Sequence, residues 1–335
     1  MAMIPLKRTR CVGLLTLFLS AAAAGFGQDA PAPDGSTIRI WGHGHRGQDY
    51  ILTLMKAWED GFRKTHPGVK FDNELYGNAS AIGGLFTGVA DLAIMDREAS
   101  FIEVDAYQQG VGYDPFRVPV ARGAVALVHH APALRVYVNR ANPLTHLSVA
   151  QLDGIFDADH RLGLQRYKTW GDLGLMGEWA EKPIQLYTFN IQSAEVQFFE
   201  LVAMKGSQKF SCCMTLFEEK SGVSAEAQIA AAVKNEKYGL GLSTLPSPGL
   251  KALALSSGDG AAVLPTAETI TVGTYPLART VYVYANRKPK QSVPAKVAEF
   301  LVYMVSAEGQ AIVARTGGYL PLSPELAKSA EDALR

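Results

Sequence analysis

Three short apolar runs near the start of the chain each end abruptly in a loop of glycine, small or charged residues. Ile38–Trp41 (IRIW) breaks at Gly42 into Gly-His-Gly-His-Arg-Gly. Val69–Leu75 (VKFDNEL) leads to Gly77-Asn-Ala-Ser-Ala81, and Ala90–Met95 (ADLAIM) to Asp96-Arg97-Glu98. Asp49–His66 separates the first two, with Ile51, Leu54, Met55, Trp58 and Phe62 at helical spacing and Pro67-Gly68 as its stop. Ile82–Gly88 reads as a short helix after the second run. Short strands alternating with helices build open, largely parallel α/β sheets, which bind ligands outside the carboxyl ends of their strands. Gly42–Gly47, Gly77–Ala81 and Asp96–Glu98 are therefore expected to converge on one edge of one sheet.

The pattern continues along the chain. Ala124–His129, Leu134–Asn139, Ile184–Phe189, Tyr238–Leu242 and Val281–Asn286 read as strands. Leu147–Phe156, Gln228–Val233, Val293–Val305 and Glu308–Thr316 read as helices, as does a segment opening after Asn190-Ile-Gln-Ser193 and running through Val196, Phe199 and Val202. The 335 residues, 48% of them apolar, suffice for two domains with cores of their own. A formal net charge of zero leaves no basic footprint for nucleic acid.

Lys7, Arg8 and Arg10 precede a short apolar stretch, Cys11–Gly25. This predicts a cleavable secretory signal over 1–27 and a polar, proline-bearing flexible lead over 28–36. Cys11 opens this stretch and lies before its apolar core, badly placed for lipid attachment at the cleavage point, so the expected product is soluble and periplasmic or otherwise extracytoplasmic. No later run reaches the roughly 20 apolar residues of a membrane span. Cys212 and Cys213 are adjacent, a geometry in which a bridge is strained. They are expected to be small buried residues or an adventitious pair.

His43 and His45 stand two apart at the end of the first strand, a spacing that suits zinc, which asks for at least three protein ligands. Among the other histidines, only His129 and His130 lie beside an expected strand end. The reading adopted is a ligand loop: Gly42, Gly44 and Gly47 let the backbone approach an anion, and His43 and His45 add polar contacts that respond to pH. A metal-dependent hydrolase using His43 and His45 is the enzyme-class alternative. Asp96-Arg97 reads either as a surface ion pair or as acceptor and donor at a cleft. Ser193 suits a helix N-cap, and Glu195 complements the same helix dipole. No G-x-S-x-G, P-loop lysine or H-E-x-x-H spacing occurs, so no catalytic residue, metal or cofactor is expected.

Four blocks occur in order: VYVNRANPLTHLSVAQLDGIFD, TWGDLG, YPLARTVYVYANRK and VAEFLVYMVSAEGQAIVARTGGYLPLS. In wording and order they resemble the phosphate-binding proteins of bacterial ABC importers (PstS-like, type II periplasmic binding proteins), from about Ile38 to about Ser323. The resemblance implies a two-lobed α/β fold with a central cleft and two hinge strands, near Pro119–Ala126 and Tyr275–Val281. Lobe 1 would hold 37–117 plus 275–335, and lobe 2 would hold 118–274. The family's ligand loops fall on Gly44 and His45, on Asn78 and Ser80, on Asp96 and Arg97, and on Ser193 and Ala194. The family's arginine position is occupied by Phe189 and its threonine by Glu195. The implied partners are a small anionic or polar solute, phosphate first among them, and an ABC permease, with the receptor a monomer. A binding module with a different ligand or a non-transport role stays open because of Phe189 and Glu195.

Overall fold

The structure, a computed structural model, describes residues 36–45, 50–163 and 165–335. The expected signal over 1–27, most of the lead, and Arg46 and Gly47 of the first loop lie outside the described residues. The strands are β1 (Thr37–Gly42), β2 (Lys70–Glu74), β3 (Leu92–Met95), β4 (Phe116–Arg122), β5 (Arg135–Asn139), β6 (His146–Ser148), β7 (Gln185–Phe189), β8 (Met214–Phe217), β9 (Gly239–Ser243), β10 (Leu250–Ala252), β11 (Ala254–Ser256) and β12 (Thr280–Ala285). The helices are α1 (Leu52–Arg63), α2 (Asn78–Phe86), α3 (Phe101–Val111), α4 (Val149–Phe156), α5 (Ala194–Ala203), α6 (Ala225–Asn235), α7 (Ala267–Val272), α8 (Ala295–Val305), α9 (Ala307–Thr316) and α10 (Pro324–Leu334).

Two five-stranded sheets organise two lobes. Lobe 1 orders its strands β2-β1-β3-β12-β4, with β1 parallel to β2 and β3, and β12 antiparallel to β3 and β4. Lobe 2 orders them β10-β5-β9-β7-β8, and a small β11-β6 pair lies beside it. Helices cover both faces of the first sheet, which is why β3 is apolar throughout. Leu92 and Ile94 enter the core shared with α1, α8 and α9, while Ala93 and Met95 face Ile82, Leu85 and Tyr107 of α2 and α3. On α1 the predicted stripe of Leu54, Met55, Trp58 and Phe62 is buried, each side chain contributing about 1.5–3 kcal/mol. Trp58 Nε1 also donates to the Gly309 carbonyl at 3.0 Å, tying α1 to α9.

The chain passes between the lobes twice, side by side. Val118 and Val120 of β4 belong to the first core, and Tyr275 and Leu277 to the second. Where the passages run together, Gly123 N donates to Arg279 O at 2.9 Å. The ladder pairing Phe116–Arg122 with β12 holds the whole of β4 in lobe 1.

The expected strand at Ala124–His129 is instead a closed loop, in which Ala124 N donates to His130 O and Ala133 N to Ala124 O. A Cβ at Gly123 would lie 1.9 Å from the Ala131 carbonyl oxygen, so this return requires glycine. Cys212 and Cys213 are both exposed and unbridged, so of the two expected alternatives burial does not hold. Among the described residues, no single helix is long and apolar enough to cross a membrane.

Candidate functional site

The three expected loops of lobe 1 do converge. Gly42 ends β1 at φ +134°, and a Cβ there would sit 2.0 Å from the Ile94 carbonyl oxygen. That close approach lets His43 N donate to Ile94 O at 2.7 Å, and Gly77 N donates to Gly42 O at 2.8 Å. Loop 1 is thereby fastened to the end of β3 and to the mouth of α2. Gly44, at φ +152°, lies against Leu75.

Asp96 is the centre of this junction and is 4% exposed. Asn78 Nδ2 donates to its Oδ1 at 2.6 Å, and Asp96 N donates back to Asn78 Oδ1 at 3.3 Å. Arg279, 2% exposed and standing between Leu277 and β12, places Nη2 2.5 Å from Asp96 Oδ2 and aims Nε at the Asp96 carbonyl. His43 Nδ1 is 3.6 Å from Asp96 Oδ2, and its Nε2 is 3.1 Å from the Tyr319 hydroxyl. Burial alone would push the Asp96 carboxyl up. Arg279, His43, the Asn78 amide and Arg97 together hold it far below the usual carboxylate range. Burial pulls His43 below the usual imidazole range, against the attraction of Asp96.

Lobe 2 meets this group with the start of α5. Ser193 caps the helix, its hydroxyl accepting from Val196 N at 3.2 Å. The first-turn amides of Ala194 and Glu195 have no acceptor within the helix. Glu195 Oε1 lies 3.7 Å from Arg279 Nη1, so one guanidinium stands between a carboxylate of lobe 1 and a carboxylate of lobe 2. Phe198 packs under the guanidinium with its ring centre 5.7 Å from Cζ. A crevice of about 960 Å³ runs beside the group, lined by Asn78, Ala79 and Phe101 from lobe 1 and by Ala194, Gln197 and Glu200 from lobe 2. Burial raises the Glu200 carboxyl to about 7, with Arg97 opposing.

The remaining expected residues of lobe 1 have these surroundings. Arg97 is buried, but its Nη1 and Nη2 are 2.7 and 2.9 Å from the carboxylate oxygens of Glu103, which also closes the capping box of α3. It is therefore a brace for the loop after β3. Ser80 spends its hydroxyl on the Gly77 carbonyl in the first turn of α2, at 2.9 Å. His45 is exposed and approaches Tyr50, 5.9 Å between ring centres, whereas His43 faces Tyr319 and Asp96. Among the described residues, no group of three or more His, Cys, Asp or Glu is placed to hold a metal ion.

Phe189 is buried in the core of lobe 2. The cation in contact with Asp96 and Glu195 is Arg279, within the block YPLARTVYVYANRK. A lone arginine directly before an apolar strand was the available signal. It needed the fold to show that the passage between lobes carries it to Asp96.

A family model described as a PBP superfamily domain matches residues 31–308. The "Phosphate-binding protein PstS" of Pseudomonas aeruginosa strain PAO1 is 34% identical over 289 residues, covering 85% of this chain and 84% of its own. The protein of the same name from Staphylococcus epidermidis strain RP62A is 24% identical, covering 98% and 94%. Among solved structures, PstS from Borrelia burgdorferi superposes with TM-score 0.58 at 17% identity, covering 86% of this chain and 99% of that one. An ABC-type phosphate transport receptor from Vibrio cholerae gives TM-score 0.55 at 19% identity, covering 85% and 99%. The two structures share the two-lobed α/β fold described above. This chain belongs to the PBP superfamily and, within it, to the PstS family.

Proposed function

We propose that the protein is an exported receptor that captures phosphate between its lobes and delivers it to an ABC permease. One observation carries the assignment of the site: Asp96 of lobe 1 and Arg279 of the hinge are buried in contact, opposite the amino end of α5 in lobe 2. Arg279 offers a permanently charged, planar donor set, and the α5 amides add donors aligned with a helix dipole. Asp96, held ionised, only accepts, and so favours an oxyanion that keeps a hydroxyl. Asn78 fixes Asp96, while Ser193 shapes the turn that presents Ala194 N–H and Glu195 N–H. We place the exchange between lobes at Gly123 and Ala278, close to the arginine itself. Contacts from both lobes make the closed form the tighter binder, and that difference in affinity drives closure.

Glu195 favours a second reading, a polar or cationic ligand. Like charges about 4 Å apart cost roughly 4 kcal/mol at an effective dielectric near 20, so a fully deprotonated anion beside Glu195 is penalised. Calorimetric titration with phosphate, arsenate, sulfate and small cationic solutes decides between them. The phosphate reading expects saturable heat from phosphate and none from sulfate. Heat from a cationic solute with none from phosphate would establish the second reading.

A further inference from the structure

We infer that Glu195 makes this receptor selective for the protonation state of its anion, so that it takes tetrahedral oxyanions carrying two hydroxyls, dihydrogen phosphate in the case of phosphate. This rests on the assignment of phosphate to the site above. The two carboxylates at opposite sides of Arg279 come from different lobes: Asp96 Oδ2 at 2.5 Å from Nη2 and Glu195 Oε1 at 3.7 Å from Nη1. An anion seated between Asp96 and the first turn of α5 therefore meets both of them. A carboxylate accepts hydrogen bonds and donates none, so each must face a ligand hydroxyl to avoid facing a bare anionic oxygen.

The neighbouring charges leave that requirement in force. Among the described residues, Arg279 is the cation in contact with both carboxylates. Arg97 is occupied by Glu103. Burial disfavours the protonated form of His43, and Asp96 stays ionised. Glu195 is faced by Arg279 from the hinge and by Tyr50 from the segment before α1. The Tyr50 ring in turn packs on His129 at 4.4 Å between centres. One cation between two carboxylates leaves a site that suits a monoanion with two O–H donors. Hydrogen phosphate has one such donor, and sulfate has none near neutrality.

The test is calorimetric titration of inorganic phosphate into the protein, Glu195→Gln and Glu195→Thr, from mildly acidic to mildly alkaline pH. For the unaltered protein, the apparent Kd should rise about tenfold per pH unit on the alkaline side of the second ionisation of phosphate, as the competent fraction of ligand falls. Glu195→Gln, whose amide can donate to a bare oxygen, should lose that slope and bind more tightly than the unaltered protein at alkaline pH. Glu195→Thr should flatten the slope in the same way, which covers a failure of the glutamine variant to fold. An unchanged slope in both variants overturns the inference. So does pH-independent binding by the unaltered protein. Absence of phosphate binding by all three proteins at every pH overturns the phosphate assignment itself.

Discussion

Asp96 and Arg279 lie 183 positions apart in the chain, yet they share an ion pair at 2.5 Å that is all but sealed from water. A buried pair is costly to break from one side, because the remaining charge is left without a partner; the penalty is about 3–5 kcal/mol. Arg279→Met is expected to lose that much stability in urea unfolding. The double variant Asp96→Asn with Arg279→Met should recover most of it. Phosphate binding should be absent from both. A single variant as stable as the unaltered protein would show that the pair is not sealed.

Arg97 serves its own loop. Both terminal nitrogens grip Glu103 at the start of α3, so Arg97→Met should cost about 1–3 kcal/mol of stability. Phosphate affinity should stay within about threefold, the behaviour of a residue that does not share the ligand's contacts. A hundredfold loss of affinity with little change in stability would make Arg97 a ligand contact.

Glu200 predicts a pH dependence of stability. Burial raises its carboxyl to about 7, above its value in an unfolded chain. The folded state therefore binds this proton more tightly. The resulting stability is fully present below the unfolded carboxylate range and is lost as pH rises through about 7. Glu200→Gln should thus match the unaltered protein in acid and exceed it in alkali. The margin should be on the order of 1–2 kcal/mol, reduced from the full effect of the shift by solvent in the adjoining crevice. Urea midpoints at acidic and alkaline pH measure it, and an equal difference at both would contradict the assignment.

Ser193 and Ser148 are matched caps with different surroundings. Each accepts from the third amide of its helix, Val196 N and Gln151 N respectively. Replacing either by alanine should cost about 1 kcal/mol. Only Ser193→Ala should also weaken phosphate binding, because only α5 faces Arg279. Equal affinities in the two variants would remove the α5 terminus from the site.

Much of this arrangement was legible because it depends on local pattern. The stripe from Leu54 to Phe62, the apolar run before Asp96 and the glycines at 42 and 44 each state their periodicity or backbone need directly. What escaped was long-range. Arg279 is one residue before a strand, and only the antiparallel place of β12 beside β3 brings it to Asp96. The pairing of Arg97 with Glu103 also escaped, because it depends on how the capping box at Ser100 turns Glu103 back toward the loop. The helices α3 and α10 went unread because their buried faces are narrow: Tyr107 alone is buried on α3 and Ala330 alone on α10. β4 was placed too late because its pairing partner lies at the far end of the chain.

The central claim is that the anion sits between Asp96, Arg279 and the amino end of α5. A crystal structure of the protein grown with phosphate tests it most directly. The account predicts a tetrahedral density within hydrogen-bond reach of the Asp96 carboxylate, the Arg279 guanidinium and the Ala194 and Glu195 amides. Phosphate bound elsewhere, with the Arg279 contacts to Asp96 and Glu195 unaltered and no density between them and α5, would contradict it.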